Sequence, residues 1–362
     1  MEIIMKESTI VRPADDIPKQ RRLKEALSKI LVPFYPIAGR LGYDENGRLE
    51  IICNAEEVLF VEAETTSVME HLIGDFTENS QVFRLIPKVD YSGGVSSYPL
   101  LVLQVTKLKC GGVCLGVGFQ HTLGDGIAAL HFINSWADTS RSLSLAIVLF
   151  IDRTLLRPRD PPTPKFYHVE HDPSLVLKSA SKSQSDDHKP SIVSTFKLTA
   201  DQLNTLKAKA NVANENSGKK HTTFNILAAH IWSCVSKARG PSVDQDTKLF
   251  FPVDGYFGNV TFRHARIAKA GDLEIESFTD TIKRIHEALN QTNDEYLRSP
   301  IDYIEIMSNL NNLVTGPHTF RCPNLYVIPW NWLPTYEADF GWGRPIYMRP
   351  GNVVQEGKMY IY

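Results

Sequence analysis

The apolar positions near the start of the chain first follow a helical spacing and then give way to β-prone runs. The helical spacing predicts one helix, which Pro33 and Pro36 end because proline cannot continue the backbone hydrogen bonding. The segment 49–61, LEIICNAEEVLFV, has two short apolar runs around a polar turn and predicts a hairpin. A second hairpin is predicted from the runs 99–108 and 113–120 across the turn KCGG. The apolar positions of the helix are Leu23, Ala26, Leu27, Ile30 and Leu31.

Helical spacing returns after residue 126 and dominates the second half of the chain. Ile127 to Trp136 predicts a short helix, and the sequence Thr199-Ala-Asp-Gln202 is a capping box that predicts the start of another. A longer helix is expected after Thr222 and a third from Phe278. Strand-like runs lie between and around them at 192–198, 248–253 and 324–330. Strands and helices without a regular βαβ rhythm indicate an α/β chain with mixed sheets.

One polar segment divides these patterns. Residues 172–191 are serine-rich and low in apolar content, which is typical of a linker. The sequence therefore predicts two domains, 1–171 and 192–362, joined by the linker 172–191.

Charge and composition exclude several classes of protein. The 362 residues carry 39 Lys and Arg against 41 Asp and Glu, a net charge of −2, so the clustered basic excess of a nucleic-acid binder is not expected. No uninterrupted apolar stretch has the roughly 18 residues of a membrane span, and the N-terminus lacks a signal-peptide core, which predicts a cytoplasmic protein. The five cysteines are an odd number, which fits a reducing compartment, and no Cys/His set stands at metal-ligand spacing. We expect no metal.

His121 is the first candidate for chemistry. It stands where the apolar run 113–120 ends, in the sequence HTLGDG, just before a predicted helix. A histidine in that place can act as a general base near neutral pH. Asp125 has two readings, as the residue that orients the imidazole or as the N-cap of the following helix, and the spacing with Gly124 and Gly126 favours the cap.

A second unusual cluster lies near the end of the chain. Two glycines flank a tryptophan in the sequence ADFGWGRP, which indicates a tight turn. Asp339 is expected to be held there by Arg344 or by backbone donors. The other residues of this motif are Phe340, Gly341, Trp342 and Gly343.

Together, HTLGDG and DFGWG resemble the paired signatures of the plant BAHD acyl-CoA-dependent acyltransferases. The sequences YPIAGR at 35–40, YFGN at 256–259 and IDR at 151–153 strengthen the resemblance. The segments VDYSGGVSSYPLLVLQVT, LHFINSW and HTFRCPNL are most similar to the shikimate/quinate hydroxycinnamoyltransferases of that family. The resemblance covers most of the chain.

The resemblance implies two chloramphenicol-acetyltransferase-like domains with a channel between them. It implies that an aromatic acyl-CoA and an alcohol or amine acceptor meet at His121, with no resident cofactor and no covalent acyl-enzyme. Asp339 is named beside His121 in that family, although we expect a structural role for it here. Trp330 is at the position of the acceptor-pocket tryptophan. A monomer is expected.

The departures from the family concern the acceptor. Thr315 stands where the shikimate-type enzymes have an arginine that pairs with the acceptor carboxylate, and Ile328 replaces a threonine that contacts the acceptor. An amine, an aliphatic alcohol or a neutral phenol is therefore as well matched as shikimate or quinate.

The resemblance also implies that the chain is shortened. Family segments are missing near 18–22, after Val253 and beyond Tyr362, and the second of these carries the arginine that pairs with the aspartate of the first motif, here Asp125. Two functions stay open at this point. One is an active hydroxycinnamoyl-type acyltransferase, and the other is a non-catalytic relative that at most binds acyl-CoA.

Overall fold

The protein has an α/β fold with two four-stranded mixed sheets, seen in a computed structural model. The structure describes residues 3–11, 22–73, 80–145, 149–171, 193–212, 221–253, 258–259, 262–307, 317–351 and 355–362. The strands are β1 (Ile3–Val11), β2 (Arg40–Tyr43), β3 (Leu49–Ile52), β4 (Val58–Thr65), β5 (Leu101–Lys107), β6 (Val113–Phe119), β7 (Asp246–Val253), β8 (Phe262–Lys269), β9 (Leu325–Pro329) and β10 (Lys358–Ile361). The helices are α1 (Arg22–Ile30), α2 (Met69–Ile73), α3 (Gly126–Ser140), α4 (Ala200–Val212), α5 (Thr223–Arg239), α6 (Ala270–Ile275), α7 (Phe278–Gln291) and α8 (Asp294–Glu305).

The first sheet has the order β1-β4-β5-β6 and delivers the chain to His121. Its β1–β4 and β5–β6 pairs are antiparallel, and its β4–β5 pair is parallel. The hairpin predicted from 99–108 and 113–120 is confirmed as β5 and β6, with Leu101 opposite Phe119. Gly116 lets the segment at Leu85 cross β6 closely, because a side chain there would overlap the carbonyl oxygen of Leu85.

The hairpin predicted over 49–61 is wrong. β3 pairs back with β2, Leu49 opposite Tyr43, and β4 joins the first sheet beside β5 instead. The turn that makes the real hairpin contains Gly47, whose φ of 74° suits glycine, and Asp44, whose side chain accepts from the amides of Asn46 and Arg48.

The second sheet has the order β10-β9-β7-β8 and forms entirely from the later part of the chain. The strand-like runs at 248–253 and 324–330 are confirmed within β7 and β9. The strand predicted at 192–198 is wrong, because Val193–Leu198 is irregular and largely exposed. Residue 192 lies outside the described residues.

The four helices predicted by periodicity are confirmed as α1, α3, α5 and α7, and the capping box predicted the start of α4. Thr199 and Gln202 exchange two hydrogen bonds, each side chain accepting from the other residue's amide. Helix α8 was not predicted, and it contains Pro300 in its interior.

Each sheet has its own buried apolar core. The first core includes Leu27, Phe60 and Trp136, and the second includes Trp232 and Ile285. Ala338 and Phe340 also belong to the first core, although they lie far along the chain. The segment 330–343 therefore returns to the first sheet. The predicted linker, 172–191, lies outside the described residues.

Candidate active site

Asn259 holds His121 at two points. The side-chain Nδ2 of Asn259 donates to the backbone carbonyl of His121 at 2.6 Å, and its Oδ1 lies 3.1 Å from the Nδ1 of the imidazole ring. His121 itself is exposed on the turn after β6. A residue of the second half of the chain thus fixes the ring that the first sheet presents.

This arrangement sets the tautomer of His121. A carbonyl oxygen only accepts, so the nitrogen of the Asn259 amide must face it, and the amide oxygen must then face Nδ1 of the ring. An oxygen acceptor at Nδ1 requires that Nδ1 carries the proton. In the neutral ring Nε2 is left with its lone pair, which is the form that a general base needs.

Asp125 caps helix α3 and does not contact the His121 ring in any described hydrogen bond. Its Oδ1 accepts from the amides of Ile127 and Ala128, both at 3.1 Å, and its side chain is buried. The amide of Asp125 donates to the carbonyl of Gly258 at 3.0 Å. Gly258 and Asn259 therefore hold both ends of the HTLGDG segment.

The DFGWG motif is a tight turn built around the carboxylate of Asp339. Its Oδ1 accepts from the amide of Gly341 at 2.8 Å and from that of Gly343 at 3.0 Å, and both glycines have positive φ, 99° and 97°. These backbone donors, Gly341 first, hold the pKa of Asp339 below its ordinary value, with a smaller contribution from the charge of Arg141. The backbone part of the prediction for Asp339 is right.

Of the two alternatives predicted for Asp339, the structure shows the backbone donors, and the cation beside its carboxylate is Arg141 instead of Arg344. Arg141, at the C-terminal end of α3, has its Nη1 3.6 Å from Oδ2 of Asp339, whereas Arg344 is exposed and forms no ion pair with Asp339 in the described structure. Arg141 is also bound to Asp138 of its own helix at 2.7 Å. No local pattern indicates Arg141, because its partner Asp339 lies almost 200 residues away along the chain.

Helix α3 physically joins the two motifs. Gly126 at its start faces Leu333, whose Cδ1 lies 3.6 Å from the position that a β-carbon on Gly126 would take. Asn134 donates to the carbonyl of Pro334 at 3.1 Å. At the far end the hydroxyl of Ser140 reaches the carbonyl of Phe340. The helix that begins beside His121 therefore positions the whole segment from 333 to 343.

The structure describes two of the three residues predicted to contact the acceptor, Trp330 and Ile328. Trp330 follows β9, and its ring packs edge-on against Tyr360 with centroids 5.1 Å apart. Ile328 lies on β9 and packs against the cluster that contains Phe250 and Phe320. Thr315 lies outside the described residues.

A cavity of about 480 Å³ lies next to the His121 turn. Thr122, Leu123 and Asn259 border it where it meets this turn, so it reaches the residues next to the candidate base. Among the described residues that line the cavity none is a lysine or arginine, and one, Glu50, is acidic. The remaining lining residues are Tyr35, Pro36, Leu41, Leu49, Ile51, Cys53 and Ile151.

Neither a metal centre nor a membrane helix stands out in the part of the chain that the structure describes. It contains no group of three or more His, Cys, Asp or Glu side chains placed to hold a metal ion. None of its helices combines the length and apolar character needed to cross a bilayer.

Comparison with known sequences gives matches over nearly the whole chain. A family model described as the Transferase family matches residues 3–362. The shikimate O-hydroxycinnamoyltransferase of Nicotiana tabacum is 46% identical over 407 aligned positions, covering 100% of this chain and 93% of the relative. A hydroxycinnamoyl-CoA:5-hydroxyanthranilate N-hydroxycinnamoyltransferase of Avena sativa is 48% identical and covers 94% of this chain and 79% of the relative. The first alignment is longer than the 362 residues here, so the tobacco protein has internal residues without a counterpart in this chain.

The fold is also found among solved structures. Vinorine synthase superposes with a TM-score of 0.73 at 18% identity, covering 99% of this chain and 91% of that chain. At this identity the match concerns the fold alone, and it confirms the chloramphenicol-acetyltransferase-like architecture predicted from the sequence.

Proposed function

The chain belongs to the Transferase family, the BAHD acyl-CoA-dependent acyltransferases, and we propose that it moves a hydroxycinnamoyl group from coenzyme A to an acceptor hydroxyl or amine with His121 as the general base. The family membership and the hydroxycinnamoyl names of its relatives support the reaction class. The role of His121 is supported by one observation, the hold of Asn259 on the ring, which leaves Nε2 ready to accept a proton.

The proposed step uses that nitrogen directly. Nε2 of His121 takes the proton from the acceptor O–H or N–H as the acceptor atom attacks the thioester carbonyl carbon. The tetrahedral intermediate collapses with breakage of the C–S bond, and the proton passes from the imidazolium to the departing CoA thiolate. One new ester or amide and one CoA thiol are formed. Because two substrates and one imidazole account for every bond and proton, we propose no resident cofactor.

The structure supports Asp125 and Asp339 as positioning residues. Their carboxylates are both committed to backbone amides, two for each side chain. Each carboxylate therefore stabilises a turn at one end of helix α3. Binding both substrates in fixed orientation beside His121 then replaces a slow bimolecular encounter.

The cavity beside the His121 turn supports binding of an aromatic group. Leu41, Ile51 and Leu123 give it apolar walls, and its volume of about 480 Å³ is within the range of small-molecule sites. Burial of an aromatic ring against such walls is favourable without any charged contact.

The nature of the acceptor is part of the proposal and has a direct test. The tobacco relative is named for shikimate and the oat relative for 5-hydroxyanthranilate, so both an O- and an N-acceptor are candidates. Purified protein should be incubated with p-coumaroyl-CoA and a panel of shikimate, 5-hydroxyanthranilate, the methyl ester of each, an aliphatic alcohol and an aliphatic amine. Mass spectrometry of the products should show at least one acylated acceptor. No product from any acceptor, with p-coumaroyl-CoA still bound, would favour a non-catalytic relative.

A further inference from the structure

Three buried polar side chains form a hydrogen-bonded relay between the segment 165–171 and helix α8. The hydroxyl of Ser299 lies 2.8 Å from Nε2 of His168, and Nδ1 of the same ring lies 3.0 Å from Oε1 of Glu170. The hydroxyl of Tyr296 also donates to this oxygen, at 3.3 Å. Ser299, His168 and Glu170 are all buried, and they are called the His168 relay below.

The other partners of Ser299 fix the direction of each hydrogen bond in the relay. Its Oγ accepts from the amides of Lys165 at 3.0 Å and Phe166 at 3.1 Å, which occupy both lone pairs of the oxygen. The hydroxyl hydrogen must then donate to Nε2 of His168, and the proton on Nδ1 donates to Glu170. Each bond is therefore specified, and changing one member leaves a buried neighbour without its partner.

Glu170 is a buried carboxylate that depends on this relay. Its second oxygen, Oε2, is buried without a hydrogen-bond partner among the described residues. Burial alone would raise the pKa of Glu170, but the hydrogen bonds that it accepts, that of His168 first, bring the pKa below its ordinary value. The carboxylate is therefore ionised at neutral pH, and His168 and Tyr296 supply the side-chain donors that stabilise its charge.

The relay has the connectivity of a serine hydrolase triad without the access that a nucleophile needs. Ser299, His168 and Glu170 correspond in order to a nucleophile, a base and an orienting carboxylate. A nucleophile must reach the substrate carbonyl, but Ser299 is completely buried and both of its lone pairs are bound to amides. The relay therefore holds structure and does not attack a substrate.

The relay packs directly on strands β7 and β8. Lys248 of β7 is buried, and its Nζ donates to the carbonyl of Val169 at 2.7 Å. The Val169 side chain packs against an apolar cluster that includes Ala265 of β8. The ring of His264, also on β8, lies 4.7 Å from the ring of Tyr296. Because the residues on both sides of Val169 belong to the relay, the relay determines where the β7–β8 pair lies against α8.

The segment that carries the relay also joins the two cores. Ile151 packs against the first core. Further along, Asp302 of α8 accepts from the amides of Arg159 at 2.8 Å and Thr163 at 3.1 Å, and the segment then reaches the relay at His168. The chain from 151 to 168 therefore ties the first core to α8 and to the β7–β8 pair.

Strands β7 and β8 flank Asn259, the residue that holds His121. The two strands are antiparallel neighbours, β7 ends at Val253, and β8 begins at Phe262, so Asn259 lies between them along the chain. His121 follows β6 of the first sheet. The contact between the Asn259 amide and the His121 ring thus depends on how the β7–β8 pair is placed relative to that sheet.

We propose that the His168 relay positions Asn259 against the ring of His121, which makes His168 and Glu170 positioning residues of the acyl transfer. The relay fixes the β7–β8 pair, and this pair carries Asn259 to the turn after β6. The proposal rests on the proposed function for the role of His121 as the general base.

The tautomer of His121 tests this coupling without any turnover. Two-bond ¹H–¹⁵N spectra of protein labelled with ¹⁵N-histidine distinguish a ring protonated at Nδ1 from one protonated at Nε2, and His121→Ala identifies the signals of His121. Glu170→Leu removes the acceptor for Nδ1 of His168 and should convert His121 from the Nδ1-protonated form to a mixture of both forms. Glu170→Gln keeps an oxygen acceptor and should retain most of the Nδ1-protonated form.

Two further variants separate positioning from a general loss of stability. Ile285→Val removes one buried carbon from the second core and should lower the thermal midpoint without changing the His121 spectrum. His168→Asn keeps a donor towards Glu170 and loses the bond to Ser299. It should give a smaller tautomer change in the same direction, and it replaces Glu170→Leu if that variant does not fold.

Kinetics tests whether the effect passes through Asn259. Glu170→Leu should lower kcat by about tenfold when Asn259 is present, because the base is no longer held in place. In an Asn259→Ala background the same change should lower kcat by less than about twofold, because two residues that act through one contact are not additive.

An unchanged His121 tautomer in both Glu170→Leu and His168→Asn would overturn the proposal. So would a loss of kcat in Glu170→Leu that persists in full in the Asn259→Ala background. Absence of product in the acceptor panel would instead contradict the proposed function, and the comparison of His121 tautomers would remain a complete test of the relay.

Discussion

The rings of Trp136 and Phe340 meet edge-on, with centroids 4.7 Å apart and an interplanar angle of 74°. Trp136 is fully buried on helix α3, and Phe340 is the second residue of the DFGWG motif. The helix that begins beside His121 therefore also carries the aromatic anchor of the second motif. The two sequence signatures of this family are parts of one packed unit.

This contact predicts a stability difference between two aromatic residues of the same turn. Phe340→Ala should lower the free energy of unfolding by about 2 kcal/mol, because it removes a half-buried ring from the first core. Trp342→Ala is the matched control, since the Trp342 side chain is 61% exposed and should cost much less. Urea denaturation followed by circular dichroism measures both. Equal losses would mean that Phe340 does not anchor the turn.

Asn259 should control how well His121 works as a base. Asn259→Ala should lower kcat by about tenfold to a hundredfold, because the ring loses the contact that fixes its tautomer and orientation. Asn259→Asp should retain an acceptor at Nδ1, and its carboxylate should move the acid limb of the kcat/KM profile to higher pH. A purely structural role for Asn259 would reduce activity in both variants without moving that limb.

Cys53 gives a chemical probe of the cavity. It is exposed and lines the cavity, and burial of part of the thiol raises its pKa, so alkylation by N-ethylmaleimide should be slow at neutral pH and faster above it. Alkylation of Cys53 should reduce the enzymatic activity. Saturating p-coumaroyl-CoA together with an acceptor should slow this alkylation. The variant Cys53→Ser should resist inactivation, whereas Cys234→Ser, which removes an exposed thiol of α5, should behave as wild type. Inactivation that persists in Cys53→Ser would place the sensitive thiol elsewhere.

The buried His264 predicts loss of stability in mild acid. Burial lowers the pKa of His264 from its ordinary value of 6.5, so the folded protein holds fewer protons than the unfolded chain below that pH. The stabilisation is complete above pH 6.5 and is lost as the pH falls through the lowered value, with a slope of at most about 1.4 kcal/mol per pH unit for one proton. His264→Gln should flatten this slope, and His71→Gln, the same substitution at an exposed site, is the control variant. Unchanged slopes in His264→Gln would contradict the assignment.

Much of the fold was accessible from the sequence because its signals are local. The periodicity of α1, α3, α5 and α7 and the reciprocal cap at Thr199 are decided within a few residues, and tertiary contacts agree with them. The hairpin over 49–61 failed because partner choice is not local. The Asn46–Gly47 turn just before it is a stronger hairpin signal, and it pairs β2 with β3.

Helix α8 was missed because its stability depends on contacts with a distant segment of the chain. Pro300 in its interior argues against a helix, but the helix is tied to the segment 159–168 by buried side chains. Ser299 accepts from the amides of Lys165 and Phe166 and contacts His168, and Asp302 accepts from the amides of Arg159 and Thr163. Tertiary contacts of this kind override the local propensity.

The sequence predicted the site residues that lie in local patterns and missed those that act across long stretches of the chain. His121 at the end of an apolar strand and Asp125 at the start of a helix are local patterns. Asn259 and Arg141 contact residues more than a hundred positions away along the chain. The YFGN motif pointed to Asn259, and no local pattern pointed to Arg141.

The most direct test of the role of His121 is the rate of CoA thiol release from p-coumaroyl-CoA with a saturating acceptor, measured for wild type and for His121→Ala under the same conditions. His121 is exposed, so the substitution should leave the fold unchanged, as judged by circular dichroism and thermal midpoint. We expect His121→Ala to be slower by about a hundredfold or more, the usual contribution of a general base. Equal rates of acceptor-dependent thiol release in the two proteins would contradict the role of His121 as the general base.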